Sequence, residues 1–200
     1  MPEIVNTLPT FALWAVIAYL IGSIPSGVII ARVMGLGNLR DIGSGNIGAT
    51  NVLRTGSKKA AALTLLFDAG KGLVAVLLAR AVAGPDVAQL AGFAAMIGHC
   101  FPVWLKFNGG KGVATFYGVL FGVLWPVGVV AAVAWLATAA LLRYSSLAAL
   151  VAALSAPIAA FFGWPGVFVL TTALWALIFA RHRTNIHRLV SGEESKIGQK

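Results

Sequence analysis

The sequence predicts an all-α, polytopic integral membrane protein with about seven transmembrane helices. Of its 200 residues, 59% are hydrophobic and only 10% are charged, whereas soluble proteins contain about 45–50% apolar and about 25% charged residues. The mean hydropathy is +0.89. The apolar residues also form runs that reach the ~20 residues a spanning helix needs. We therefore expect residues 1–200 to form a single transmembrane domain.

Charge and cysteine content exclude several classes of protein. The net charge is +9, but the basic residues lie between apolar runs, where contact with anionic membrane lipid explains them. We therefore predict no nucleic-acid binding. The single cysteine, Cys100, excludes an internal disulfide and a cysteine-based zinc site, and we expect no metal or cofactor. The N-terminus lacks a basic region, so the first apolar run is interpreted as a retained span.

Three spans are expected in the first half of the chain. The first covers residues 11–33 and should kink near Pro25, which membrane helices tolerate where neighbouring groups satisfy the freed backbone. After a polar loop, the second and third spans cover residues 60–82 and 87–105. The short turn at residues 83–86 joins them.

The apolar run at residues 113–142 is too long for one span across ~30 Å of hydrocarbon. It is predicted to be two helices with a break at Trp125-Pro126. Proline disfavours helix at the residue before it, and tryptophan prefers the membrane interface. The sixth and seventh spans are predicted at residues 147–162 and 167–180.

Basic residues are distributed unevenly between the two sides of this arrangement. Thirteen of the fifteen lie on the side that holds the loops at 32–59, 106–111 and 143–146 and the tail after 181: Arg32, Arg40, Arg54, Lys58, Lys59, Lys106, Lys111, Arg143, Arg181, Arg183, Arg188, Lys196 and Lys200. Lys71 and Arg80 are the exceptions. The positive-inside rule therefore predicts that this side and the C-terminus are cytoplasmic and that the N-terminus is outside.

The first candidate site is the sequence GSGNIGATN at residues 43–51, followed by Arg54. Glycines let backbone amides converge on an anion, and Arg54 offers a planar fork suited to phosphate. The alternative is a flexible linker. Linkers seldom combine so many hydrogen-bonding side chains with so much Ile, Ala and Val, so the pattern favours an anion-binding loop.

A second glycine-rich sequence, FNGGKG at residues 107–112, opens the fourth span. Amides at a helix N-terminus point at a bound anion, so we predict a second phosphate site with Lys111 as its cation. The sequence is not a Walker A motif, because Leu105 stands where the first glycine is required and Gly112 replaces Ser or Thr. The alternative is a turn with an interfacial lysine.

The third candidate site is RHRTNIHR at residues 181–188. His182 and Asn185 share a face if the helix continues. His182 is a candidate general acid or base, and Asn185 is a candidate donor to an oxyanion. The alternative is a basic stop signal, which explains the arginines but not Asn185. His187 is expected to be solvated, and residues 193–200 to form a solvated tail.

Asp68 and Lys71 are charged residues within the second span. Their i, i+3 spacing allows them to pair, and charges inside a membrane are by default functional. The sequence leaves two interpretations open, a structural pair that faces the bundle and a direct substrate contact. His99 and Cys100, at the end of the third span, are interpreted as packing residues.

These motifs resemble, in order, those of the bacterial acyl-phosphate:glycerol-3-phosphate acyltransferases, the PlsY family. The resemblance covers essentially the whole chain. The residues that carry it are GSGNIGATN with Arg54, GHCFP at 98–102 leading to NGGKG at 108–112, Arg181-His182 with Asn185, and FDAGKG at 67–72.

The resemblance implies a single transmembrane acyltransferase domain. It would transfer a fatty acyl group from acyl phosphate to the 1-hydroxyl of glycerol 3-phosphate, giving lysophosphatidate and phosphate in phospholipid biosynthesis, without metal or cofactor. The implied catalytic residues are Ser44, Arg54, Lys111, His182 and Asn185. The implied substrate-binding residues are Gly43, Gly45, Asn46, Thr50, Asn51, Asn108, Gly109, Gly110, Ser145, Ser146 and Arg181.

The resemblance also implies a multi-pass protein of the bacterial inner membrane, with an active site that faces the cytoplasm and a functional link to an enzyme that produces acyl phosphate. The hydroxyl proton would go either to His182 or to a substrate phosphate oxygen, and the sequence does not choose between them. A small transporter or flippase for a phosphorylated ligand is the alternative function. Transporters often show two related halves with midplane sites, whereas these motifs lie at one face without a convincing repeat.

Overall fold

The structure, a computed structural model, describes residues 2–198, and its regular secondary structure is helical throughout that range. The α-helices are α1 (Leu8–Gly22), α2 (Ser26–Val33), α3 (Ala49–Leu53), α4 (Lys58–Ala83), α5 (Pro85–Cys100), α6 (Val113–Leu142), α7 (Ser145–Gly163), α8 (Phe168–Arg181) and α9 (Arg183–Val190). Short 3-10 helices cover Leu39–Asp41, Val103–Leu105 and Pro165–Val167. The all-α prediction is confirmed.

Several of these helices are suited to a membrane. Within residues 2–198, five helical segments are long and apolar enough to cross one, and the number rises to six if the bent pair Pro165–Arg181 and Arg183–Val190 is one span. The predicted count of seven treats residues 113–142 as two spans, and it stays a prediction.

The predicted kink near Pro25 is confirmed. Helix α1 ends at Gly22 and α2 begins at Ser26, because Pro25 lacks a backbone donor and disfavours helix at the residue before it. The ammonium of Lys71 donates to the backbone carbonyl of Ile24 at 2.8 Å. A carbonyl at the break therefore has a charged donor from α4.

The predicted break inside residues 113–142 is also confirmed. Leu124, directly before Trp125-Pro126, has φ −157° and ψ 95°, which are extended rather than helical values. The Arg80 guanidinium donates to the carbonyl of Val123 at 2.6 Å. This second break, like the first, has a cationic side chain of α4 on a neighbouring carbonyl.

The chain divides into two compact units, and the boundary coincides with the break in α6. One unit covers Ile4–Val123, and the other contains the chain from Leu124 onwards together with the N-terminal residues up to Glu3. In the first unit α1, α4 and α5 pack against one another, with α2 and α3 on α4. Gly22 lets α1 approach α5 closely, since a Cβ there would overlap the backbone of Ala95. In the second unit α7 packs against α8, and α9 contacts both.

Some predicted boundaries differ from the structure. The predicted loop at residues 32–59 contains α3 and a 3-10 helix, and the predicted third span, 87–105, is α-helical only as far as Cys100. Pro102 accounts for the second difference, because the residue before a proline avoids helical geometry. Lys200, which the basic count includes, lies outside the described residues.

Candidate active site

The predicted site residues fall into two groups, one in each unit. The unit Ile4–Val123 contains Gly43, Ser44, Gly45, Asn46, Thr50, Asn51, Arg54, Asn108, Gly109, Gly110 and Lys111. The unit that begins at Leu124 contains Ser145, Ser146, Arg181, His182 and Asn185. Each group is described within its own unit.

Asn51 organises the first glycine-rich loop. Its side chain is 2% exposed, and its amide nitrogen donates to the carbonyls of Leu39 at 3.0 Å and Asn46 at 2.7 Å. Its amide oxygen accepts from the Ser44 backbone N–H at 3.0 Å and from the Ser44 hydroxyl at 3.3 Å. A carboxamide has two donor and two acceptor positions, and all are used. These hydrogen bonds hold the loop, and substrate binding by Asn51 stays a prediction.

The backbone amides of this loop also differ from the prediction. The Gly45 N–H donates to the carbonyl of Ile42 at 2.9 Å, and the Gly48 N–H donates to the Asn46 side chain at 2.9 Å. With the Ser44 amide held by Asn51, three of the expected anion donors serve the loop itself. The prediction that these amides converge on an anion is wrong for those three residues.

The side chains of Ser44 and Arg54 are both exposed, and so is that of Thr50 in the first turn of α3. The Arg54 side chain folds back across Gly43. A Cβ on Gly43 would lie 2.5 Å from the Cδ of Arg54 and 2.8 Å from its Nη1. Gly43 also has φ +53°, a value that favours glycine. Gly43 therefore allows the guanidinium to lie against the loop, and its predicted role as a substrate ligand is untested.

The second glycine-rich loop is held by α5. The N–H groups of Gly109 and Gly110 donate to the carbonyls of Cys100 and His99, each at 3.1 Å. The expectation that these two amides point at a ligand is therefore wrong. Both glycines are buried, and a Cβ on Gly110 would overlap the His99 ring. This packing fixes the backbone directly before Lys111, whose side chain is half-buried.

Arg40 joins the two loops, and the sequence analysis missed it. Its Nη1 donates to the carbonyl of Gly45 at 3.1 Å, and its Nη2 donates to the carbonyl of Asn108. The only signal in the sequence was an arginine three residues before Gly43. Its partners are backbone oxygens, which no residue pattern displays.

The Asp68–Lys71 pair is confirmed, and it includes a third residue. The Lys71 ammonium lies 2.8 Å from Asp68 Oδ1, and His99 Nδ1 lies 3.5 Å from the same oxygen. All three side chains are almost completely buried. Thr115 extends the cluster to α6 by donating to the Asp68 carbonyl at 2.9 Å. Among residues 2–198, no group of three or more His, Cys, Asp or Glu side chains is suited to a metal ion.

His182 lies at a bend, not within a continuous helix. It is the residue between α8 and α9, whose axes differ by 64°. The continuous helix on which the shared face with Asn185 depended is therefore absent at this position. His182 is 3% exposed, and its Nδ1 lies 2.8 Å from the carbonyl of Ile178. Because a carbonyl only accepts, Nδ1 carries the hydrogen, and Nε2 is the acceptor in the neutral ring.

Glu194 contradicts the prediction of a solvated tail. Its carboxylate accepts from the Ser146 hydroxyl, the Asn185 side-chain amide and the Arg188 Nε, each at 2.6 Å. Burial raises the pKa of Glu194, but these three donors and the charge of Arg188 outweigh it and hold the pKa below its ordinary value. A predicted substrate-binding side chain, that of Ser146, and a predicted catalytic side chain, that of Asn185, therefore share a carboxylate partner that the sequence analysis did not identify.

Ser145 and Arg181 occupy helix ends in the second unit. Ser145 is the first residue of α7, and Arg181 is the last residue of α8. Both side chains are half-buried. Their contacts with substrate stay a prediction.

The long apolar helices, together with the polar, glycine-rich loops at their ends, define the class of this protein as a helical integral membrane protein. The sequence profile of the glycerol-3-phosphate acyltransferase family matches residues 12–192. The chain belongs to this family, and within it to the PlsY proteins.

Individual relatives support this assignment. A glycerol-3-phosphate acyltransferase of Roseobacter denitrificans is 64% identical over 98% of both chains. One of Jannaschia sp. is 59% identical over 100% of this chain and 98% of its own. The crystal structure of PlsY, an integral membrane glycerol 3-phosphate acyltransferase, in its glycerol 3-phosphate form is similar with a TM-score of 0.89. It shares 41% identity and covers 94% of this chain and 96% of its own. The lysophosphatidic acid form gives 0.85 at 38% identity.

Proposed function

We infer that this protein is an enzyme that acylates glycerol 3-phosphate in phospholipid biosynthesis. The match of the acyltransferase family over residues 12–192 carries this inference. The similarity to PlsY in its glycerol 3-phosphate and lysophosphatidic acid forms supports the same substrate and product. These matches give no support to a transporter.

We propose acyl phosphate as the acyl donor. The hydroxyl oxygen of glycerol 3-phosphate attacks the acyl carbonyl carbon, the bond from that carbon to the phosphate oxygen breaks, and lysophosphatidate and inorganic phosphate are formed. Acyl phosphate is a mixed anhydride, so positioning the reactants and stabilising developing negative charge supply the catalysis. Such a donor is produced by another enzyme, which is the proposed functional partner.

Three cationic or polar side chains in the unit Ile4–Val123 are proposed to bind the phosphate groups. Arg54 presents an exposed guanidinium next to Gly43, and a planar fork suits two phosphate oxygens. Lys111 follows a backbone that is fixed on α5 and supplies a point charge. Ser44 exposes a hydroxyl that its bond to Asn51 orients. Asn46, Thr50, Asn108 and the glycines are proposed to shape the same phosphate sites.

His182 and Asn185 are proposed to act on the reacting groups. Nε2 is the ring atom of His182 that accepts a proton, since Nδ1 donates to Ile178. The hydroxyl proton ends either on Nε2 or on the leaving phosphate. Asn185 donates to a carboxylate in this structure, and the same donor is suited to an oxyanion. Ser145, Ser146 and Arg181 are proposed to bind phosphate.

Product analysis tests the proposed reaction directly. Purified protein receives palmitoyl phosphate with and without glycerol 3-phosphate, and phosphate and lysophosphatidate are measured. We expect phosphate release that depends on glycerol 3-phosphate, equals lysophosphatidate formation and survives EDTA. Palmitoyl-CoA should not serve as donor. EDTA-sensitive turnover restored by a divalent ion, or equal use of palmitoyl-CoA, contradicts the proposal.

Site variants test the assignment of residues. Lys111→Ala, His182→Ala and Asn185→Ala should abolish most turnover while expression and insertion remain normal. His187→Ala is the matched control for His182, since His187 is exposed five residues further along the chain. Wild-type activity in all three site variants refutes the assignment. If His182→Gln retains most of kcat, the phosphate oxygen rather than His182 takes the proton.

The proposed location is the bacterial inner membrane, with the loops at residues 43–54 and 108–112 facing the cytoplasm. The thirteen-to-two distribution of basic residues supports this orientation. Cysteines placed singly at Gly163 and Thr184, both exposed, should react with impermeant thiol reagents from opposite sides. Cys100 is fully buried, so the unsubstituted chain provides the background. Labelling of Gly163→Cys only from the cytoplasmic side contradicts this orientation.

A further inference from the structure

The backbone of Arg40 is held by local hydrogen bonds that do not involve either glycine-rich loop. It lies in the 3-10 helix Leu39–Asp41, whose first turn is capped by Asn38. The Asn38 side chain accepts from the Arg40 N–H at 3.1 Å and donates to the Asp41 carboxylate at 3.0 Å. The guanidinium therefore projects from an ordered turn.

The two carbonyls that Arg40 contacts belong to different motifs. Gly45 lies between Ser44 and Asn46 in the first loop, and Asn108 opens the second loop that leads to Lys111. Each loop has separate internal support, from Asn51 in the first and from the α5 backbone in the second. Arg40 supplies direct hydrogen bonds from one loop region to the other.

We propose that Arg40 is a positioning residue that sets the distance between the two loops. A guanidinium holds its N–H groups in a rigid plane, so Nη1 and Nη2 bind two oxygens at a defined separation. A lysine has one nitrogen on a flexible stem and lacks this geometry. Both oxygens are backbone atoms, so they cannot move unless their loops move. The guanidinium therefore fixes the backbone from which the side chains of Arg54 and Lys111 extend.

The catalytic part of this inference rests on the proposed function. If Arg54 and Lys111 bind phosphate groups of the reactants, a shift between their loops misaligns those groups. A displacement of about 1 Å costs on the order of 100-fold in rate. We therefore expect Arg40→Lys to lower kcat/KM by ~10- to 100-fold although the net charge is unchanged.

Kinetics and spectroscopy together test the proposal. Spin labels on Leu53→Cys and Phe107→Cys report the distance between the loops, since both positions are exposed, at 49% and 59%. We expect Arg40→Lys and Arg40→Gln to broaden the distance distribution and lower kcat. Arg32→Lys is the matched control, an exposed arginine on α2 in the same unit, and it should leave both measurements unchanged. Thermal unfolding should give the Arg40 variants the Tm of the control.

Each outcome decides between the claims. A distribution as narrow as that of the wild type overturns the positioning role, whatever the activity. A broadened distribution with wild-type kcat/KM overturns its importance for the reaction. A wild-type protein without acyl transfer refutes the proposed function, and the distance measurement then still tests the positioning role. If Arg40→Lys and Arg40→Gln lower the Tm but leave the distance between the spin labels unchanged, Arg40 contributes only to the stability of the fold and the proposal is overturned.

Discussion

The two units hold their candidate residues by different kinds of hydrogen bond. In the unit Ile4–Val123, the glycine-rich loops are fixed mainly by neutral groups, through the Asn51 carboxamide and the amides of Gly109 and Gly110. In the unit that begins at Leu124, Ser146 and Asn185 share the ionised carboxylate of Glu194. Neutral bonds do not titrate, whereas a carboxylate does. The loop that Asn51 holds should therefore be sensitive to shape, and the groups that bind Glu194 should be sensitive to pH.

Of the variants that compare the two units, Gly110→Ala should have the largest effect on activity. The added Cβ overlaps the His99 ring, so the backbone before Lys111 must move, and a displacement of this kind costs on the order of 100-fold in kcat/KM. Acyl transfer by purified protein measures the loss. Gly70→Ala is the control, since its Cβ meets open space in α4. Wild-type activity of Gly110→Ala would show that the loop is not fixed by its contact with His99.

Glu194→Ala should destabilise the second unit. It leaves the Ser146, Asn185 and Arg188 donors without their carboxylate, and loss of a hydrogen bond to a charged group costs about 1.5–3 kcal/mol. Thermal unfolding in detergent measures the change. Glu193→Ala is the matched control, because the neighbouring Glu193 is exposed. Equal Tm values for the two variants would contradict the assigned role.

The same carboxylate predicts a pH dependence with a definite sign. Because the folded pKa of Glu194 lies below its ordinary value, its stabilisation is present above the unfolded pKa of about 4.3. It is lost as the pH falls through the lower folded pKa. The Tm difference between wild type and Glu194→Ala should therefore shrink below about pH 4.

Asn51→Ala should weaken the first loop without a pH dependence. It removes four hydrogen bonds and leaves the Leu39 and Asn46 carbonyls without this donor, at a cost of about 1–3 kcal/mol. Hydrogen exchange at the Ser44 amide should rise, and kcat/KM should fall. Asn46→Ala removes only the bond to the Gly48 amide and should have a smaller effect. An exchange rate that is unchanged in Asn51→Ala would refute the role of Asn51 in the loop.

Arg54→Lys should have the smallest effect of these variants. The charge remains, but the planar fork is lost, and about 1.4 kcal/mol of lost bonding lowers kcat/KM about tenfold. The Tm should not change, because Arg54 is exposed. Steady-state kinetics at several glycerol 3-phosphate concentrations measures the effect. Full activity would show that a point charge is sufficient at this position.

The sequence was a good guide to helices and a poorer guide to hydrogen bonds. Hydrophobic runs and prolines predicted the breaks near Pro25 and before Pro126, because both act through local backbone geometry. The i, i+3 spacing predicted the Asp68–Lys71 pair. Composition alone did not show that several glycine amides donate to carbonyls of the protein itself. The Gly109 and Gly110 amides are held by the carbonyls of Cys100 and His99, and that contact depends on how the chain folds back onto the end of α5.

The residues that sequence reasoning missed share one property. Arg40 binds backbone carbonyls, and Glu194 binds side chains up to 48 residues away. Neither set of partners can be recognised from a local pattern of residue types in the sequence. The sequence analysis assigned Glu194 to a solvated tail. The arginine and amide groups of α9 instead bind it.

Two cations on α4 do not follow the uneven distribution of basic residues, and their contacts affect how the membrane topology is interpreted. Lys71 and Arg80 donate to carbonyls beside the two helix breaks, those of Ile24 and Val123. In lipid, unsatisfied backbone carbonyls are costly, so a broken helix needs such donors. These positive charges therefore serve the folded bundle rather than the loops from which topology is read. On the predicted topology, the remaining thirteen Lys and Arg residues all lie on one side. Lys71 and Arg80 do not count against the predicted orientation, because carbonyls of the folded bundle hold them.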